Sequence, residues 1–401
     1  MVTHHLPGTP FHARTAPLVE GQTWRRWAGH VVASSYELHH DREYHAIRSS
    51  AALFDVSPLF KYHVRGKDAV RLLDRVVTRD VGNAKVGQVL YTPWSDAAGK
   101  VLDDGTVSVL APDFLRLTSA DPNYRWLCSN ARGLQVTIED VSESIAALAL
   151  QGPNARTILE QAAGTDLSRV KYFRLTNVLI RGVPVTITRT GYTGDLGYEV
   201  WMNAEQALPV WDVLMAAGEP HGLTPAGILA LDVSRIEAGL LLLDVDYVSA
   251  RKALIEQQKS SPLELGLDWT VAFDKPAFVG REALAAERER DAEWRFVGVE
   301  VAWESLEALY SELGLAPRLP TTAWRTSVPI YAANTDRQVG YATSGCWSPM
   351  LKKYLTLAHL EANAATEDFQ LEMEVTVEHR RKRAKAHVRP LPFFNPERKR
   401  A

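Results

Sequence analysis

Apolar residues in this chain never run far. The richest stretches, Ser144–Leu150 and Ala238–Leu243, are much too short to cross a bilayer. Elsewhere the apolar pattern breaks every few residues at Gly, Pro, Asp or Asn. A chain built this way makes its cores from many short strands and a few amphipathic helices. Glu43–Arg48 carries helix formers and leads into the small, apolar segment Ala51–Val56. Phe60–Arg65 alternates with the strand period, and Lys67–Val77 spaces Ala69, Leu72, Leu73 and Val76 for one helix face. Tyr91–Trp94 and Val101-Leu102 flank Asp96-Ala97-Ala98-Gly99, a hairpin with a glycine turn. Thr106–Leu110 and Phe114–Thr118 follow as two more strands.

A second block repeats the mixture. Ile145–Leu150, Val178–Ile180, Val183–Thr188 and Tyr198–Met202 read as strands. Pro153–Ala163 and Gln206–Ala217 read as helices, and Pro225–Leu243 reads as a longer helix with Leu229, Val233, Ile236 and Leu240 on one side. A charged junction around Glu287–Glu293 opens a third block. There Phe296–Val301, Val328–Ala332, Gln338–Thr343, Tyr354–Leu360 and Leu371–Val377 are strands at barrel-like spacing, with Trp303–Thr322 as a partly helical excursion. Glu378–Arg400 is rich in Lys and Arg and broken by Pro390, Pro392 and Pro396, which predicts a solvated tail. The expected units are 1–140, 141–289 and 290–401.

With 401 residues, 46% hydrophobic and 23% charged, the chain can bury two or three cores, and it is not disordered, collagenous or a coiled coil. Two cysteines, Cys128 and Cys346, exclude a disulfide scaffold and a four-cysteine zinc module. A net charge of −3 argues against a whole-chain grip on nucleic acid. The opening residues have no apolar core of the signal-peptide kind, so the expectation is a cytoplasmic protein with no membrane partner. The His4–His5 and His39–His40 doublets lack further ligands at metal spacing, and no metal is expected. G-x-G-x-x-G, Walker A and G-x-S-x-G stretches are all missing from the sequence.

Three places could carry chemistry. Asp103-Asp104 follows the hairpin, and on an extended chain the two carboxylates point to opposite faces. One can then face a pocket, stabilising positive charge or relaying a proton, although Asp pairs at hairpin ends also serve as turn and cap residues. In Arg189-Thr190-Gly191-Tyr192-Thr193-Gly194-Asp195-Leu196-Gly197-Tyr198-Glu199, three glycines permit tight packing and Glu199 sits in an apolar strand. That carboxylate either pairs with Arg189 at a sheet edge or accepts adjacent N–H groups of a heteroaromatic ring such as a pterin. The third place holds Asp232, Arg235, Glu237 and Asp244, where Asp232 and Arg235 are spaced for an ion pair on one helix.

Taken together these stretches resemble the glycine cleavage T-protein (aminomethyltransferase) family. The resemblance is carried in order by Ala46-Ile47-Arg48, Leu53–Ser57, Gly99–Asp104, Leu150–Pro153, Arg189–Glu199, Pro225–Gly227, Arg235–Gly239, Phe278–Leu284, Thr343–Gly345 with Ser348-Pro349, and Pro392–Pro396. It implies an α+β, three-domain cloverleaf ring with a C-terminal β-barrel and a central channel for tetrahydrofolate, the N-terminal part being interleaved with the second domain. It implies transfer of a methyl or aminomethyl unit to tetrahydrofolate, with Asp104 as the catalytic residue. Glu199, Tyr192 and Tyr91, with Tyr172 or Phe173 as the aromatic contact, would hold the folate. Ser119, which stands where the family usually has an Asn, would join them as a folate contact. Pro58-Leu59 replaces His-Met, and Leu231 replaces an Arg before Asp232. Loss of that fixed cation disfavours an anionic donor. These departures point to a small methylated donor (an amine, a sulfonium or a methoxy compound). The two alternatives are a true T-protein served by a lipoyl carrier protein and a non-catalytic folate-binding protein. Trp24 and Trp27 suit a cationic or aromatic donor.

Overall fold

The computed structural model describes residues 6–401, so the His4–His5 doublet lies outside the described residues. Two large sheets and one closed barrel organise the chain, with a two-stranded ribbon of Trp24–Trp27 and His30–Ala33 beside them. The first sheet is antiparallel, with strands in the order Val89–Ser95, Val101–Ala111, Phe114–Ser119, Phe60–Arg65 and Thr137–Asp140. The second orders Leu175–Ile180, Val183–Thr188, Gly197–Asn203, Ile145–Gln151, Ala51–Asp55 and Leu223–Pro225, the last pair being parallel. The barrel is closed by Trp294–Val301, Lys353–Glu361, Gln338–Ser348, Val328–Ala332, Leu371–Val377 and Arg380–Arg389. Among the described residues no helix is long and apolar enough to cross a membrane. Nor does any group of three or more His, Cys, Asp or Glu sit together in a metal-binding cluster. His40 instead bonds the Thr321 carbonyl through Nε2 (3.1 Å).

Each sheet covers one face with helices and turns the other inward. Leu72, Leu73 and Val76 of helix Ala69–Val76 pack on Val64, Leu115 and Leu117 of the first sheet. Helices Ala155–Ala163 and Ala207–Gly218 cover the second, with Ile158, Leu159, Val210 and Leu214 on Leu148, Leu150 and Val200. A third helix, Ile228–Glu237, is buried from Ala230 through its last residue and packs between the second sheet and the barrel.

Three expectations need correction. Residues 380–389 are no solvated tail: they form the strand that closes the barrel, pairing with both Leu371–Val377 and Trp294–Val301. Ala384, Ala386 and Val388 point inward while Arg381 and Lys385 point out, which is ordinary strand alternation. The helix expected over 225–243 spans only Ile228–Glu237, because Gly239 at φ +64° ends it and the chain turns back through Leu241–Tyr247. Val101–Ala111 is one continuous strand, so Asp103 and Asp104 lie inside it and not in a turn.

Candidate active site

Strand alternation separates the two aspartates. Asp103 turns to the helix-covered face. It is fully buried and accepts hydrogen bonds from the backbone N–H of Asp104 (2.8 Å) and Asp121 (3.0 Å) and from Asn123 Nδ2 (2.7 Å). Asp104 turns to the open face, beside Tyr91, Thr106, Thr118 and Arg116. Two phenols hold it. Tyr91 Oη donates to Oδ2 at 2.9 Å, and Tyr247 Oη donates to Oδ1. Burial raises the Asp104 pKa against the pull of both hydroxyls, and the charge of Asp246 adds to the rise. Burial and Asp104 push both tyrosines far above the usual phenol range, so each remains a neutral donor.

Tyr247 is fixed from the barrel side. Its neighbour Asp246 accepts from Thr343 Oγ1 (2.5 Å), Ser344 Oγ (2.8 Å), Leu242 N (2.9 Å) and Arg235. His359 Nε2 donates to the Asp246 carbonyl at 2.6 Å. Arg235 also bonds Asp232 at 2.9 Å, the ion pair that the helical spacing predicts. Sequence reasoning passed over Asp246 and Tyr247, because the segment read as the end of a helix.

Glu199 belongs to the second sheet. Its strand is internal there, between Val183–Thr188 and Ile145–Gln151, so it is not at an edge. Arg189 does not pair with it; that guanidinium donates to the carbonyls of Val170 (3.1 Å), Lys399 (3.3 Å) and Ala401. Glu199 Oε2 accepts from Thr190 Oγ1 (2.7 Å) and Thr188 Oγ1 (3.2 Å). Burial raises its pKa, opposed by those hydroxyls and by Arg116. The glycine-rich loop before it wraps the side chain of Gln151. A Cβ at Gly191 or Gly197 would lie 2.0 or 2.3 Å from Gln151 Oε1, so a side chain at either position would displace the Gln151 amide. Thr193 Oγ1 donates to the same oxygen (2.9 Å).

The other expected residues are divided in placement. Tyr192 is half-buried and donates to the Leu241 carbonyl, not to Asp104. Tyr172 and Phe173 form an edge-on pair, 4.6 Å between centroids. Phe173, at φ +56°, ties Arg189 to Val89 by backbone hydrogen bonds of 3.0 Å each, at the joint between the two sheets. Ser119 faces the Asp103 side, and its hydroxyl is spent on the Asp121 carbonyl (2.7 Å). Leu231 lies in the central apolar cluster with Tyr91, Tyr192 and Trp27, whereas Trp24 packs away from it near His12. The cation that position 231 lacks has neighbours elsewhere: Arg325 Nε bonds Asp232 Oδ2 at 2.6 Å, and the Arg25 charge lies near both. Asp104, Tyr91, Tyr192 and Glu199 are each partly buried and keep some accessible surface. A surface groove of about 670 Å³ between Arg42, Ser49, Met215 and Glu219 lies elsewhere and holds none of these groups.

Two large sheets and a barrel thus surround a carboxylate held by two phenols. Residues 11–275 match the GCVT N-terminal domain, and residues 313–395 match the glycine cleavage T-protein C-terminal barrel domain. An aminomethyltransferase of Bacillus cytotoxicus is 35% identical over 358 residues, covering 88% of this chain and 89% of that protein. Another, from Caldanaerobacter subterraneus, is 35% identical over 337 residues, 82% of each. The crystal structure of glycine cleavage system aminomethyltransferase T from Bartonella henselae superposes with a TM-score of 0.81 at 23% identity, over 98% of this chain and 99% of that one. The chain belongs to the glycine cleavage T-protein family, whose members are tetrahydrofolate-dependent one-carbon transferases.

Proposed function

We propose that this protein transfers a one-carbon unit from a small methylated donor (an amine, a sulfonium or a methoxy compound) to tetrahydrofolate. The observation that carries the reading is Asp104, one carboxylate held by two neutral phenols on the same sheet face as Arg116, whose charge lies near Glu199. The arrangement suits a reduced folate. Glu199 has acceptor capacity beyond its two threonines, and Nε and Nη2 of the buried Arg116 find no partner among the described residues. Tetrahydrofolate, when bound, supplies the amine nitrogen that takes up the one-carbon unit. Glu199 accepts the paired N–H groups of a pterin edge, while Tyr91, Tyr192 and the Tyr172–Phe173 pair line the path. Asp104 stabilises positive charge at the accepting centre and takes up its proton on a carboxylate oxygen, and Tyr91 and Tyr247 keep that oxygen aimed. The donor preference rests on Leu231 and Trp27, which make an apolar wall in place of a fixed cation.

A second reading, a T-protein fed by a lipoyl carrier protein, is favoured by the relatives named aminomethyltransferase. One experiment separates the two. Purified protein is given tetrahydrofolate with methylated amines, sulfonium compounds and aryl methyl ethers, or with aminomethylated lipoyl carrier protein, and the folate product is weighed. Methyltetrahydrofolate from a free metabolite supports the first reading. Methylenetetrahydrofolate with ammonia, formed from the carrier alone, overturns it in favour of the second. No product from any donor, with folate still bound, restores the non-catalytic alternative.

A further inference from the structure

Arg116 is an anomaly for a strand residue. It lies in Phe114–Ser119 on the same face as Asp104 and is 2% exposed. Its guanidinium lies over the Trp201 ring, 4.1 Å from the centroid, and Nε and Nη2 have no hydrogen-bond partner among the described residues. Trp201 and Glu199 share one face of the strand Gly197–Asn203, so the guanidinium stands near the Glu199 carboxylate. The two do not close an ion pair within 4 Å. Arg48, by contrast, bonds Glu237 at 2.6 Å. A buried cation and a buried anion left apart, each with unused hydrogen-bonding capacity, cost stability unless a third group completes both.

We propose that Arg116 and Glu199 together read three adjacent positions on a 4-oxo pterin: Glu199 accepts from the 2-amino group and N3–H, and Arg116 donates to the neighbouring O4. A donor–donor–acceptor edge is the complement of a carboxylate beside a guanidinium. The inference rests on the folate reading above and adds a residue that answers O4, so that Arg116 shares with Glu199, which loses N3–H, the discrimination of the oxo ring from its 4-amino analogue. Trp201 holds the guanidinium over its ring, and Nε and Nη2 are not spent on any protein acceptor among the described residues.

The test is equilibrium binding, read by titration calorimetry, of tetrahydrofolate and of its 4-amino analogue to the wild type, Arg116→Met and Arg116→Lys. The wild type is expected to prefer tetrahydrofolate. Arg116→Met should weaken tetrahydrofolate binding about tenfold or more while leaving the 4-amino analogue within about twofold, as loss of one charge-assisted hydrogen bond requires. Arg116→Lys should recover only part of the preference. Equal weakening of both ligands, or no change in either, overturns the assignment even though the protein binds folate. If the wild type binds neither ligand, the folate reading itself fails, which is a separate result. Thermal melts of the variants identify any that misfold, and for those the Lys variant decides.

Discussion

Two buried charge clusters a short way apart are built on opposite terms. Around Glu237 every group is answered. Arg48 donates to Glu237 through Nη2 (2.6 Å) and Nε (3.0 Å) and to the Thr193 carbonyl (2.8 Å), and it stacks on Phe394. Ser348 Oγ (2.5 Å) and Tyr44 Oη donate to the other Glu237 oxygen. Five stretches of chain, including the barrel and the C-terminal segment, meet there. Around Asp104, Glu199 and Arg116, acceptors and donors of high charge are left partly unused. Most of the family-like motifs therefore hold the molecule together, and only a few residues are held ready for something else. The satisfied cluster is a joint, and the unsatisfied one is the proposed site.

Substitutions should separate the two clusters. Asp104→Asn is expected to slow transfer about 10²- to 10⁴-fold, measured in single turnovers, with the melting temperature nearly unchanged. Because burial raises the Asp104 pKa, the acid limb of the wild-type pH–rate profile should lie above the ordinary aspartate value of about 4, and activity should fall as pH drops through it. The variant should lack that limb. Arg48→Met should do the reverse. It leaves Glu237 charged and buried, costing about 3–5 kcal/mol in urea unfolding, while the turnover of the remaining folded protein stays near that of the wild type. If Arg48→Met abolished transfer without loss of stability, the division into joint and site would fail.

Smaller effects refine the same contrast. Glu199→Gln should weaken folate binding about tenfold or more, the worth of a hydrogen bond to a charged group, and should leave stability equal or slightly higher, since a poorly paired buried charge has gone. His63, beside Arg116, is pushed down to about 4 by burial and by the Arg116 and Arg65 charges. Between that value and the unfolded value of about 6.5, the unfolded chain binds a proton that the native chain refuses. Stability should therefore decline as pH falls from 6.5 toward 4, and His63→Phe should flatten that slope in denaturation curves.

The sequence pattern reached the strands and helices whose alternation is plain, such as Phe60–Arg65 and Lys67–Val77. It passed over residues 380–389 because the inward positions Ala384 and Ala386 are small and the outward ones strongly basic, so charge masked the period. The opposed directions of Asp103 and Asp104 follow from strand alternation alone. Arg116 was invisible for a different reason. A lone Arg in a strand looks like a solvent-facing residue until a distant strand brings Trp201 and Glu199 over it. Tyr247 was hidden likewise, since only the turn after Gly239 carries it to Asp104.

Thr343, Ser344 and His359 all belong to the barrel, yet they hold Asp246, whose neighbour Tyr247 orients Asp104. The barrel is therefore not an interchangeable module. A chimera that borrowed the barrel of a relative would keep Asp104 but lose the splint that aims it. A substitution at Thr343, Ser344 or His359 should therefore be felt at Asp104, on the far side of that seam.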